Sequence, residues 1–258
     1  MLYLIGLGLN PPSSITHESL EYLKKSEKVF LDIYTTPIED CIIEALRKFV
    51  GKDIILANRN ILEDKLEEIV KEARKKDISI LVYGDPTIAT THISFIYECI
   101  KRGVKYKVVH NASIINAVSG LGLSAYKIGK IATIPIEREN YKPESFFDIL
   151  EENKKINAHT IFLLEATKEE FLSVNKALKL LLNIAKKRNK AELFNDNTKV
   201  LVISRYGSNN QKIVYGKVKD IIKIDFGDPP HTIVVPAKLH FMEEELLKSY
   251  ILRDISKK

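Results

Sequence analysis

Met1-Leu2-Tyr3-Leu4-Ile5-Gly6-Leu7-Gly8-Leu9-Asn10-Pro11-Pro12 opens the chain, and its reading decides the fold. Residues 2–5 are an unbroken apolar run, the pattern of a strand buried on both faces. A Gly-x-Gly turn follows at once. Glycine there permits a positive φ and lets a ligand approach the backbone closely. Ligands of open α/β sheets bind beyond the carboxyl ends of the strands, where this turn would lie. A dinucleotide fingerprint needs a third glycine at position 11, and Pro11 stands there. Nor does an acidic residue end the second strand in that motif's usual context, although Asp32 is near. The opening run is too short to span a bilayer and lacks a basic leader, so it reads as a first strand rather than a signal or anchor.

Four more strand-like runs lie within the first 110 residues, at 29–33, 53–56, 78–83 and 105–109. Segments of helical spacing separate them. Leu62, Leu66, Ile69 and Ala73 mark one apolar face, and Ile93, Ile96 and Ile100 another. Thr16 is placed to cap the first helix, with Glu18 in its first turn. Continuous apolar strands alternating with helices predict a parallel sheet covered on both faces. A turn-rich stretch at 111–130, with Gly120, Gly122 and Gly129, suggests a boundary between domains 1–112 and 113–258. The second half carries helical patterns at 144–153, 168–187 and 241–252. Its strand-like runs are 130–134, 160–164, 200–204, 212–217 and 232–235. The tighter turns at Tyr206-Gly207-Ser208 and 227–230 predict some antiparallel pairing. The expected fold is therefore two α/β domains, the first with a mostly parallel five-stranded sheet and the second with a mixed sheet.

Composition is that of a packed protein. Of 258 residues, 45% are hydrophobic and 29% charged, which argues against disorder. The net charge of +6 is spread along the chain. The densest basic runs, at 71–76 and 186–190, end helix-like segments, where cations complement the helix dipole. They read as solvated helix ends before they read as a docking patch, and no nucleic-acid motif with interleaved aromatics is present. Cys41 and Cys99 lack metal-ligand spacing and are expected to be buried, reduced thiols of a cytoplasmic protein.

Two further loops belong to the expected ligand edge. Gly84-Asp85-Pro86 follows the fourth strand, with Thr90, Thr91 and His92 leading into the next helix. Asp85 can accept hydrogen bonds from ribose hydroxyls or an amine, and Pro86 stiffens the turn; the same residues would equally serve a plain β-turn. Asn111-Ala112-Ser113-Ile114 follows the fifth strand, either as a helix cap or as small residues making room for a ligand. Gly227-Asp228-Pro229-Pro230-His231 leads into the last strand, where a lone histidine is more commonly a satisfied core group than a catalyst.

Together these segments resemble the archaeal diphthine synthases of the tetrapyrrole-methylase-like S-adenosylmethionine (SAM) methyltransferases. LYLIGLGLNPPSSIT is similar to that family's opening strand and glycine loop, and VYGDPTIATTH to its second loop. VVHNASIINAVSGLGLSAYKIGK is similar to its linker, and KIDFGDPPHTIVVPAKLHFMEEELL to its closing signature. The resemblance covers essentially the whole chain. It implies SAM held in the cleft between the two domains by Leu9, Asp85, Ile88, Ser113, Ile114, Leu164, Tyr206 and His231. Tyr206 stands where relatives often carry a small residue. The resemblance further implies a cytoplasmic homodimer without metal that methylates elongation factor 2, with no membrane or direct nucleic-acid partner. The implied reaction is successive N-methylation of a 3-amino-3-carboxypropyl-histidine to its trimethylammonium form.

Methyl transfer from a sulfonium is an in-line displacement, so position and desolvation are the protein's contribution. The nucleophile must be a neutral amine, and an apolar cleft lowers an amine's pKa. No residue is thereby singled out as catalytic; His92, His110, Asp85 and Tyr126 are candidates for supporting roles. Tyr34, Tyr126 and Tyr206 offer aromatic faces suited to a quaternary cation, though tyrosines at strand ends more commonly pack. A related porphyrinoid-precursor or ribosomal-RNA methyltransferase is disfavoured by the closing segment. A phosphate-binding module is disfavoured by the absence of GxxxxGK. An interaction protein using its basic helix ends is the remaining class.

Overall fold

The computed structural model describes residues 1–167 and 169–251. The chain forms two compact units, Met1–Ile114 and Ile115–Lys258.

The first unit runs β1 (Leu2–Gly6), α1 (His17–Lys25), β2 (Lys28–Asp32), α2 (Asp40–Val50) and β3 (Ile55–Ala57). A π-helical turn (Asn60–Asp64), α3 (Leu66–Glu72), β4 (Ile78–Val82), α4 (Ile93–Arg102) and β5 (Tyr106–Val109) complete it. The five strands lie in the order β3-β2-β4-β1-β5 and every pairing is parallel. All five residues of β1 and of β4 are buried, because helices cover both faces. Alternate side chains serve opposite cores: Leu2, Leu4, Ile78 and Ile80 pack with Phe95 and Cys99 on one face. Tyr3, Ile5 and Leu81 pack with Leu23 and Leu46 on the other. Thr16 caps α1 as expected, accepting a hydrogen bond from the Ser19 N–H at 3.1 Å.

Two expectations fail here. On α4, Ile93 and Ile100 are 67% and 64% exposed, and of the expected face Ile96 alone packs, half-buried, against the core. The helix carries two apolar stripes, and the one bearing Phe95 and Cys99 enters the core, since the aromatic ring removes more apolar surface from water. Cys41 is exposed on α2, whose buried face is Ile43 and Leu46; Cys99 is buried as expected.

The boundary falls within α5 (Ile114–Ala117), and the second unit continues through a 3-10 turn (Val118–Leu121) into β6 (Ile128–Ile134). Then come α6 (Ser145–Lys155), β7 (His159–Leu164), α7 (Val174–Lys187), β8 (Lys199–Ser204) and β9 (Lys212–Lys217). It closes with α8 (Val218–Ile221), β10 (His231–Val235) and α9 (Phe241–Leu247). The sheet order is β6-β7-β10-β8-β9. β6 pairs parallel with β7, and the other pairings are antiparallel, giving the expected mixed sheet. The helix expected over 168–187 starts only at Val174. Ala166 bridges Phe171, Leu172 is buried, and Ser173 Oγ caps the helix by accepting from the Lys176 N–H at 3.3 Å. The pattern over 241–252 divides into α9 and a 3-10 turn (Lys248–Tyr250). Lys168 and Leu252, the outer ends of those two expectations, lie outside the described residues. Among the described residues no helix is long and apolar enough to cross a membrane.

Candidate functional site

The three loops at the carboxyl edge of the first sheet are stitched together by backbone groups. Gly8 and Gly84 exchange N–H···O=C bonds of 3.0 Å in both directions, and the Leu7 N–H donates to Val82 O at 2.8 Å. The Asn111 side-chain amide donates to Gly6 O at 3.0 Å and Ser14 O at 2.9 Å. Ser14 Oγ in turn donates to Leu7 O and accepts from the Asn10 N–H. This close approach explains the glycines. A Cβ on Gly6 would stand 2.7 Å from Gly84 O and 2.9 Å from Asn111 Cβ. At Gly84, with φ +76°, a Cβ would instead occupy a space bordered by Ala112 O at 3.8 Å and Ser113 Cα at 3.9 Å.

Asp85 is buried at the centre of this arrangement. Its Oδ1 accepts from the Thr87 N–H (2.8 Å) and hydroxyl (2.7 Å); its Oδ2 accepts from the Asn111 N–H (3.1 Å) and meets His110 Nδ1 at 2.9 Å. Burial pushes its pKa up, but the Thr87, Asn111 and His110 hydrogen bonds outweigh burial and hold it below the ordinary carboxylate value. Sequence patterning offered this carboxylate to a ribose hydroxyl or an amine. In the fold Thr87 and Asn111 supply three donors to it and His110 Nδ1 faces it, so it shapes the loop. Leu9 and Ile88 are half-buried on these loops. Tyr83 Oη donates to Leu9 O at 2.9 Å, and the Ile88 N–H donates to Asp85 O. Ser113, whose Cα borders the space at Gly84, is buried, and Ile114 is half-buried.

Asp32 does end the second strand. Its carboxylate accepts from the Tyr34 and Thr35 N–H groups and the Thr35 hydroxyl, so its own loop consumes it. His92 lies 3.4 Å from Asp32 Oδ2, with both side chains sealed from solvent. Burial lowers its pKa against the opposing pull of Asp32. Neither ring nitrogen has a hydrogen-bond partner.

In the second unit Leu164, Tyr206 and His231 gather at one end of the sheet. Leu164 ends β7, His231 starts β10 opposite Ser204, and Tyr206 follows the end of β8. Arg205, with φ +48°, fixes the closing loop: its guanidinium donates to the carbonyls of Phe226, Asp228 and Asn210. His231 is buried, which lowers its pKa, and stands edge-on to Phe171 at 5.8 Å. The Tyr206 hydroxyl lies over Gly120, 3.4 Å from where a Cβ would stand. Tyr126 is fully exposed, on a turn (Ala125–Lys127). The stitching roles of Ser14 and Asn111 have no sequence signal beyond a polar residue just after a strand, because their partners lie up to 105 residues away.

The model for tetrapyrrole (corrin/porphyrin) methylases matches residues 1–222. A diphthine synthase of Methanocaldococcus jannaschii is 39% identical, over 99% of this chain and 100% of its own. A probable diphthine methyl ester synthase of Arabidopsis thaliana is 36% identical, over 97% and 98%. The crystal structure of a candidate diphthine synthase from Entamoeba histolytica superposes with a TM-score of 0.88 at 34% identity, over 98% and 99%. With its glycine-stitched sheet edge and its match over the full length of these relatives, the chain belongs to the tetrapyrrole methylase family and, within it, to the diphthine synthases.

Proposed function

We propose that this chain is a SAM-dependent methyltransferase acting in diphthamide biosynthesis. It methylates the amino group of the 3-amino-3-carboxypropyl-histidine of elongation factor 2 three times, ending at the trimethylammonium form. The observation that carries this reading is full-length similarity to diphthine synthases, on a fold whose glycine loops are hydrogen-bonded to one another at the carboxyl edge of the first sheet. It works in the cytoplasm, as a homodimer.

The residues present suit the cofactor. The space at Gly84 is bordered by main-chain atoms of Ala112 and Ser113, and backbone groups recognise an uncharged ring edge without fixed charge. Leu9, Ile88, Ser113 and Ile114 supply main-chain and apolar contacts, and Asp85 holds their loops in register. Leu164, Tyr206 and His231 contribute from the second unit, with Tyr206 acting through its main chain because its hydroxyl is turned to Gly120. The bound cofactor supplies an activated methyl group; the protein supplies alignment and dryness.

The test is mass spectrometry of elongation factor 2 bearing the modified histidine, after incubation with this protein and SAM. A gain of three methyl groups at that peptide is expected, and no gain removes the assignment. The plant relative's name favours one second reading, in which a further methyl esterifies the carboxylate. A fourth methyl, lost in mild base, would select it.

A further inference from the structure

Two histidine–carboxylate pairs stand at the carboxyl edge of the first sheet, and they differ in one decisive respect. His92 and Asp32 are both sealed, with side chains 1% and 0% exposed, so the His92 ring meets no substrate. His110, directly after β5, has a side chain 67% exposed, while its partner Asp85 is 3% exposed. The pair is 2.9 Å apart through His110 Nδ1. A buried ionised carboxylate only accepts hydrogen bonds, so the proton of a neutral His110 ring sits on Nδ1 and Nε2 keeps its lone pair. Asp85 is itself immobilised by Thr87 and Asn111, which fixes the ring axis. An exposed imidazole oriented by a buried carboxylate, at the edge where the glycine loops meet, is the arrangement of a general base with its orienting partner.

We propose that His110, oriented by Asp85, accepts the proton that the substrate amine loses in each round of methyl transfer; this rests on the reading above. His110 Nε2 takes a proton from the substrate ammonium and becomes imidazolium beside Asp85. The freed nitrogen lone pair forms the new N–C bond to the methyl carbon. The methyl–sulfur bond breaks, and its electron pair stays on sulfur as a neutral thioether. The exposed ring returns its proton to water before the next round. Each methyl thus releases one proton, and the trimethylammonium product retains none to lose.

His110→Ala tests this in single-turnover methylation, with S-adenosylhomocysteine binding measured alongside. Transfer is expected to fall between about a hundredfold and ten-thousandfold, with binding changed less than about twofold. Added imidazole should restore part of the rate, while thiazole, of the same shape but non-basic, should not. A variant within about threefold of the parent, or equal rescue by both rings, overturns the proposal. A rate lost only in His92→Ala overturns it in favour of the sealed pair. Failure of the unaltered protein to methylate its substrate would instead indict the substrate reading.

Discussion

Single atoms decide whether the loops at the carboxyl edge of the first sheet can close against each other. Gly6→Ala places a Cβ 2.7 Å from the Gly84 carbonyl, which is backbone and has no flexible way out. It should cost about 1–3 kcal/mol and abolish S-adenosylhomocysteine binding by parting the loops. Gly51→Ala, at φ +67° with nothing within 4 Å of a new Cβ, should cost about 1–2 kcal/mol and leave binding intact. Calorimetry of both variants separates local strain from loop geometry. Glu243 sets a second prediction. Burial pushes its carboxyl up, but Lys127, the His240 and Ser124 N–H groups and His159 outweigh that and hold it at about 2, against an ordinary 4.5. A depressed carboxylate stabilises the fold fully above about pH 4.5 and loses that contribution as pH falls toward about 2. The contribution is about 3 kcal/mol. His159 acts in the same direction. Its Nδ1 accepts from the Ala237 N–H, so Nε2 carries the proton that meets Glu243. Burial holds its pKa below the ordinary 6.5, so unfolding takes up a proton from that pH downward. Urea titrations should show stability declining from about pH 6.5, and Glu243→Gln should flatten the limb below about pH 4.5.

Among the elements, α4 shows how two apolar stripes on one helix are resolved. Phe95 is 1% exposed against the β1 and β4 side chains. Phe95→Ala should therefore destabilise the protein by about 3–5 kcal/mol in urea unfolding. The helix ends illustrate a related competition. α7 continues an apolar pattern that reaches further back in sequence, yet it starts at Val174. The Ala166–Phe171 bridge occupies the backbone groups that an earlier start would use, and Ser173 satisfies the free N–H of Lys176 in the first turn.

For the molecule as a whole, a bound ligand adds to the stability of the folded state alone. S-adenosylhomocysteine at a hundred times its dissociation constant should add about 2.7 kcal/mol. That raises the melting temperature on the order of 5 °C, whereas ATP and NAD should leave it unchanged. Stabilisation by ATP or NAD alone would sink the methyltransferase reading. Because the edge loops belong to the first unit, Gly6→Ala should remove the shift while the second unit's sheet persists.

Sequence by itself determined the strands, the parallel character of the first sheet and the mixed character of the second. Burial on one face or two writes a period into neighbouring residues, and that period is local. It also placed Gly6, Gly8 and Gly84 at strand ends and excluded a dinucleotide loop through Pro11. Tertiary structure alone decided which stripe of α4 is buried and where the Asp85 carboxylate is directed. It alone brought His110 to Asp85 across 25 residues and Asn111 to Gly6 across 105. Such pairings depend on which loops close against each other and on small differences between competing hydrogen bonds. No period in the chain records either.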